Sequence, residues 1–302
     1  MARSIGAQAS GVLRSSTKSI FLKWQCRSKC LELERETVVC GVLNLTPDSF
    51  SDGGLYTDKQ KAVDRVRQMV DEGAGMIDIG GESSRPGALP VPVDEERGRI
   101  MPVLEKLVHE LNAPISVDTY KSQIAREALE MGVDIINDIT SLSEDPDMAS
   151  VVAESGAGIV LMHMLGRPRN MQENPQYGDV VSEIKQFLSG VIDKAVSSGI
   201  SREKIVVDPG IGFGKRTEHN LEIVKRLSEL KSLGRPILIG VSRKSVIGNV
   251  LNLGVDERLE GTAALVACAI VNGANIVRVH DVKYMWRVAR MVDAVRKGIS
   301  YA

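Results

Sequence analysis

An excess of charge of either sign is missing from this chain. Across 302 residues, 38 Lys and Arg stand against 39 Asp and Glu. That balance gives no electrostatic reason for a nucleic acid or a membrane surface as partner, so any anion site has to be built locally. Cysteine is scarce. Cys26, Cys30, Cys40 and Cys268 form no Cys-x-x-Cys pair, and no histidine stands at zinc-finger spacing. Such scattered thiols fit unpaired residues in a reducing compartment. No apolar run is long enough to span a bilayer. There is no Walker loop, no nucleophile elbow and no His-Glu-x-x-His helix.

The composition is that of an ordinary globular protein, 43% apolar and 25% charged. From Val38 onward two patterns alternate. Short, near-continuous apolar runs fall at 38–44, 75–81, 114–119, 134–139, 158–164, 204–210, 236–242 and 275–281. Runs of this kind suit parallel strands covered on both faces. Between them lie helical stripes. Ala62, Val63, Val66, Met69 and Val70 share one face, and so do Val103, Leu104, Leu107, Val108 and Leu111. Similar stripes fall near 121–131, 146–155, 179–198, 217–231, 258–272 and 282–297.

Eight sequential βα units predict an α/β protein, a single (β/α)8 TIM barrel. A doubly wound open sheet would carry a glycine fingerprint after its first strand. Here that strand runs into Asn44-Leu-Thr-Pro-Asp-Ser-Phe50 instead. A short hairpin from about Ser19 to Leu33 is expected to close the bottom of the barrel. No second domain or linker is visible, which predicts a barrel domain over 19–302 behind a disordered tail over 1–18. Residues 1–31 hold six Lys or Arg and no acidic residue. They lack the apolar core of a secretory signal, so a cytoplasmic protein with a ragged basic end is expected, with an organelle-targeting segment as the alternative.

Polar side chains stand at or just past the C-terminal end of every expected strand. They are Asn44; Asp78 and Glu82; Asp118; Asn137 and Asp138; His163; Asp208; Ser242 and Lys244; and Arg278, His280 and Asp281. In a barrel these ends converge on one face, where the active sites of this fold sit. Some of these residues have plain structural readings. Asp118-Thr119 can cap a helix, Asp78 can be a satisfied buried group, and His163 reads as a hydrogen-bonded wall residue. Arg85, Lys244, Arg278 and His280 offer donors to a multiply charged anion. Asp118, Asn137 and Asp208 suit the edge of a flat heterocycle with N–H donors and a carbonyl. Asn44 can offer a hard oxygen to Mg²⁺, an ion that keeps most of its waters. The glycines of 210–215 (Gly-Ile-Gly-Phe-Gly-Lys) lack the full P-loop pattern and read as a flexible turn.

Seven ordered motifs make the chain resemble the dihydropteroate synthase family of pterin-binding barrels. They are GVLNLTPDSFSDGG (41–54), DIGGESSRPGA (78–88), SVDTYK (116–121), INDI (136–139), DPGIGFGK (208–215), GVSRKS (240–245) and RVHDV (278–282). The likeness spans about residues 36–298. It implies an enzyme, a transferase of alkyl or aryl groups. That enzyme condenses 6-hydroxymethyl-7,8-dihydropterin pyrophosphate with p-aminobenzoate to give 7,8-dihydropteroate and pyrophosphate in folate biosynthesis. It implies Asn44 at Mg²⁺, with Asp118, Asn137, Asp208 and Lys244 on the pterin. Ser84, Arg85, Arg278 and His280 fall on the pyrophosphate side. Phe50, Pro86, Phe213, Ser242 and Lys244 fall near p-aminobenzoate, where sulfonamides compete. Position 84 is Ser where many relatives have Thr, and the hydroxyl remains. The family forms homodimers through its last helices, and the stripe Val288, Met291, Val292 and Val295 would permit that here.

The expected chemistry is an SN1-like displacement, with Lys244, Arg278 and Asp118 as the catalytic residues. Loss of pyrophosphate leaves a cation delocalised into the pterin ring, and the arylamine then attacks it. Loops 45–58 and 82–93 are expected to close over the site and exclude water. Two other readings compete. One is a methyltetrahydrofolate corrinoid methyltransferase with a similar pterin pocket. The other is a non-catalytic pterin-binding paralogue.

Overall fold

The structure is a computed structural model that describes residues 22–46 and 55–298. The expected tail, the first residues of the hairpin at Ser19, Phe50 and most of the 45–58 loop lie outside the described residues. Two antiparallel strands come first, β1 (Lys23–Cys26) and β2 (Lys29–Glu32), joined across Arg27-Ser28 with Trp24 opposite Leu31. Eight parallel strands follow: β3 (Val38–Asn44), β4 (Met76–Gly80), β5 (Ile115–Asp118), β6 (Ile135–Asp138), β7 (Gly158–Met162), β8 (Ile205–Asp208), β9 (Leu238–Ile239) and β10 (Ile276–Val279). They pair in chain order, and β10 returns to β3. The remaining seam, between β8 and β9, is bridged where Val207 N–H donates to Pro236 O at 3.0 Å. The sheet therefore closes on itself, as the eight βα units predict.

Nine α-helices are seen among the described residues: α1 (Leu55–Asp71), α2 (Val93–Leu107), α3 (Ser122–Met131), α4 (Met148–Ser155), α5 (Val180–Ser197), α6 (Thr217–Lys225), α7 (Ser245–Leu251), α8 (Leu259–Val271) and α9 (Val282–Lys297). Their apolar stripes pack on the outside of the sheet. Val63, Val66 and Met69 of α1 and Val103, Leu104 and Leu107 of α2 are fully buried there.

Two expected boundaries move. The stripe over 217–231 is not one helix: α6 stops at Lys225, and Leu227–Leu233 is a 3-10 turn. Its buried residues Leu227 and Leu230 are three apart, which suits the three-residue period of that turn. The run 236–242 gives only a two-residue strand. Past Ile239 the chain leaves the ladder, and Lys244 becomes the N-cap of the short α7.

The inside of the barrel has two layers. In the lower one Trp24 of the hairpin is fully buried, packed with Cys40, Met76, Ile135, Val160, Val206, Leu238 and Ile276. The indole donates to Lys204 O at 2.8 Å, so its one polar atom is satisfied. Gly158 makes room for it, since a Cβ there would lie 3.2 Å from the ring. The upper layer follows from strand periodicity, because residues two apart point the same way. Two positions on from Met76, Ile135, Val206 and Ile276 stand Asp78, Asn137, Asp208 and Arg278.

Candidate active site

A recess opens in the upper layer, lined by Ser84, Asp118, Asn137, Asp208, Phe213, Lys244 and Arg278 together with Ile139, Met162, Ile211 and Gly240. It encloses roughly 350 Å³, part of it open to solvent. Every strand from β3 to β10 is parallel, so residues near their C-terminal ends share one face of the barrel. That is why side chains from Ser84 to Arg278 meet.

Arg278 organises the floor. Its Nε donates to Asp78 Oδ2 at 2.6 Å and its Nη2 to Asp118 Oδ2 at 2.9 Å. Asp78 Oδ2 also accepts from Asn137 Nδ2 at 3.1 Å. A guanidinium has five N–H bonds. With two committed to these carboxylates, the rest remain for an anion. Asp78 is thus the post that orients two of the expected site residues. In the sequence it stands both as a strand-end polar residue and as a group that burial could satisfy. The signal was its inward parity with Met76, two residues before it. Its other oxygen, Oδ1, has no hydrogen-bond partner among the described residues.

The charges in the recess are shifted by burial. Asp118 is pushed up to about 7 by loss of water, against the pull of Arg278. Asp208 is pushed up to about 6 by the same cause, although Gly210 N–H donates to its Oδ1 at 2.7 Å. Lys244 is lowered to about 8, again by burial first and by Arg278 second. Its ammonium lies 4.2 Å from the centre of the Phe213 ring, a cation–π contact.

The 210–215 turn departs from the flexible segment expected. Gly210 has φ +69°, and a Cβ there would sit 2.0 Å from His163 O. Its glycine serves close backbone approach rather than slack. Gly212 N–H donates to Asn220 Oδ1 at 2.8 Å, Gln172 Nε2 to Gly212 O at 2.6 Å, and Tyr177 OH to Gly214 O at 2.8 Å. Lys215 is buried beneath it.

The rim holds the other expected residues, and none of them lines the recess. Ser242 Oγ accepts from His280 N–H at 3.2 Å and stands 3.0 Å from His280 Nδ1. Where the hydroxyl proton is given to Nδ1, the imidazole N–H stands on Nε2. Burial first and Arg278 second lower His280 to about 4, so near neutral pH it offers an N–H and no charge. Asn44 ends β3, half-buried beside Gly80. Its amide forms no hydrogen bond among the described residues. Arg85 and Pro86 are exposed on the loop after β4, which docks where Gly87 N–H donates to Pro168 O at 3.0 Å. Glu82 fastens both ends of that loop. It accepts from Val91 N–H at 3.0 Å, Lys121 Nζ at 2.5 Å and Tyr120 OH at 3.1 Å.

Three polar strand ends have structural duties. Asp138 accepts from Thr140 N–H, Thr140 Oγ1 and Leu142 N–H at 2.7–2.8 Å. Asp281 pairs with Arg243 at 2.7 Å and 3.0 Å. His163, lowered to about 3 by burial, accepts from Lys215 Nζ at Nδ1 over 2.9 Å. The apolar lining residues Ile139, Met162 and Ile211 were not singled out in the sequence, where they look like any other strand-end aliphatics.

Comparison with known proteins agrees with this geometry. The family described as pterin binding enzyme matches residues 40–280. The dihydropteroate synthase of Bacillus subtilis is 47% identical over 269 residues, covering 89% of this chain and 92% of that protein. A crystal structure of Yersinia pestis dihydropteroate synthase with a sulfonamide drug complex superposes with a TM-score of 0.86 at 41% identity, covering 91% of this chain and 99% of the other. The Xanthomonas albilineans enzyme with 4-aminobenzoic acid gives a TM-score of 0.85 at 40% identity, covering 91% and 98%.

Proposed function

The chain belongs to the family of pterin binding enzymes, and from that premise we propose that it is a dihydropteroate synthase joining a pterin methylene to p-aminobenzoate with loss of diphosphate. One observation carries the reading. Asp118, Asn137, Asp208, Lys244 and Arg278 surround a single recess at the mouth of the barrel. The corrinoid methyltransferase and the non-catalytic paralogue gain nothing comparable, since relatives matched over about nine-tenths of their length are synthases.

In this proposal Asp208 and Asn137 take the N–H and carbonyl edge of the pterin, and Lys244 donates to it. Asp118 stands beside the ring, where a carboxylate stabilises positive charge as the methylene C–O bond breaks. Arg278 lends its spare N–H bonds to the departing diphosphate. Ser84 adds a donor from the recess wall, and Arg85 and His280 add donors from the rim. A neutral His280 gives its Nε2–H until the anion arrives and raises its basicity. Phe213, Pro86 and Ser242 border the arylamine, which attacks the cation without a strong base.

Mg²⁺ fits the donors present. Among the described residues no group of three His, Cys, Asp or Glu could cage a metal, while the Asn44 amide is free at the rim. An ion held by Asn44, water and diphosphate would neutralise charge on the leaving group.

A homodimer is the proposed assembly. Met291 and Val295 of α9 are 67% and 79% exposed, and Val271 of α8 is 58% exposed. Val288 and Val292 pack inward, so only half of the expected stripe is available. Light scattering that gives a monomer mass at micromolar concentration would refute the dimer. The reaction itself is tested by supplying both substrates and measuring 7,8-dihydropteroate and diphosphate. The expected result is one diphosphate per dihydropteroate. Absence of product with both substrates present refutes the assignment.

A further inference from the structure

Lys215 is a buried lysine that none of these steps uses. It sits 3% exposed beneath the 210–215 turn, with no carboxylate within ion-pair distance among the described residues. A buried ammonium survives only if its donors are satisfied. Here three donors meet three acceptors. Nζ lies 2.9 Å from Phe213 O, 3.2 Å from His163 O and 2.9 Å from His163 Nδ1. One cation thus ties the end of β7 to the backbone of Phe213. The Phe213 ring in turn carries Lys244 on its face at 4.2 Å.

Other charged and titratable groups surround this contact. Asp208 ends β8, Lys244 caps α7, His163 follows β7, and Arg216 and His219 flank it on its own segment. Asp208 favours the ammonium, while burial and Lys244 disfavour it, which lowers Lys215 to about 7.

We propose that Lys215 is a positioning residue for the arylamine side of the site: its ammonium fixes the Phe213 carbonyl, and the Phe213 ring then sets the second-substrate wall and the reach of Lys244. The inference rests on the synthase reading above. It also makes the wall conditional on a proton. A neutral amine has only two N–H bonds for three acceptors, so one contact is lost on deprotonation.

The test uses the full-length enzyme. Wild type and Lys215→Met are assayed for KM of p-aminobenzoate, at saturating pterin diphosphate, between about pH 6 and about pH 7.5. In wild type, KM is expected to rise a few-fold across that window as the ammonium is lost. In Lys215→Met, KM starts about tenfold higher, kcat changes less, and the pH dependence of KM across the window disappears. A role confined to stability would lower the unfolding temperature and leave the pH dependence in place. A folded Lys215→Met enzyme with wild-type KM overturns the proposal, and so does a wild-type KM that stays flat. If Lys215→Met does not fold, Lys215→Gln is assayed in the same way and the same two outcomes decide. A wild-type enzyme that forms no dihydropteroate at any pH overturns the synthase reading instead.

Discussion

The floor and the mouth of this barrel are built by the same strands two residues apart, and they are chemical opposites. Met76, Ile135, Val206 and Ile276 meet the Trp24 plug in a layer without charge. Asp78, Asn137, Asp208 and Arg278 form the layer above, where carboxylates and cations are held away from water. The floor gains free energy from burial. The mouth spends some of it on desolvated charges that only a substrate can fully satisfy. One end of the barrel therefore carries stability and the other carries chemistry.

The most forceful way to break that division is Arg278→Ala. It removes the common partner of Asp78 and Asp118. Stability is expected to fall by about 3–5 kcal/mol, the usual cost of leaving buried charge unpaired. Turnover should fall by roughly 10²-fold or more on top of that. Chemical denaturation and steady-state kinetics on one preparation give both numbers. Near-normal values of either would mean that the floor of the recess is not organised by this guanidinium.

Trp24→Ala sharpens the contrast from the other end. Removing the plug should cost about 3–5 kcal/mol of stability while kcat/KM at a temperature where the variant is folded stays within about twofold. A large loss of activity in the folded variant would show that floor and mouth are not separable.

Titration separates the layers next. Asp208 and Asp118 have folded pKa values of about 6 and about 7, raised from 3.8. The folded protein thus keeps protons that the unfolded chain has lost, so stability of the free protein falls as pH rises through that window. Activity moves the other way. The value of kcat/KM for the pterin diphosphate should rise as the two carboxylates ionise and fall when Lys244 loses its proton near 8. A profile flat from about pH 5 to about pH 9 would contradict these assignments.

The smallest effect belongs to the rim. Ser242→Ala removes the hydroxyl that stands 3.0 Å from His280 Nδ1 and orients the ring. A loss of about 1 kcal/mol in transition-state binding is expected, read as a several-fold drop in kcat/KM. A drop as large as that of Arg278→Ala would show that Ser242 does more than orient His280 and border the arylamine.

Much of this contrast was legible in the sequence. The run Val38–Asn44 is a strand over its full expected length, and the parallel arrangement brings Ser84, Asp118, Asn137, Asp208, Phe213, Lys244 and Arg278 together. What sequence reading could not supply was pairing. Asp78 looked like a structural residue because nothing in its neighbourhood of sequence shows that Arg278, 200 residues away, rests on it. Lys215 looked like the end of a loose glycine turn because its acceptors on His163 are 52 residues upstream. The helix α7 is seven residues long with no amphipathic stripe, too short to register as a pattern. Conversely, Asp138, Glu82 and Asp281 stood at strand ends like the ligand-facing residues, and only their hydrogen bonds reveal them as supports.

The central claim is that the charged mouth performs the displacement of diphosphate, and Lys244→Ala tests it most directly. Among the described residues Lys244 lies within ion-pair distance of no carboxylate, and it sits half-buried on Phe213, so its loss breaks no direct ion pair. With both substrates saturating at neutral pH, diphosphate release is predicted to slow by roughly 10²-fold, about 3 kcal/mol in the transition state, with the unfolding midpoint unchanged. Release at the wild-type rate would contradict the account.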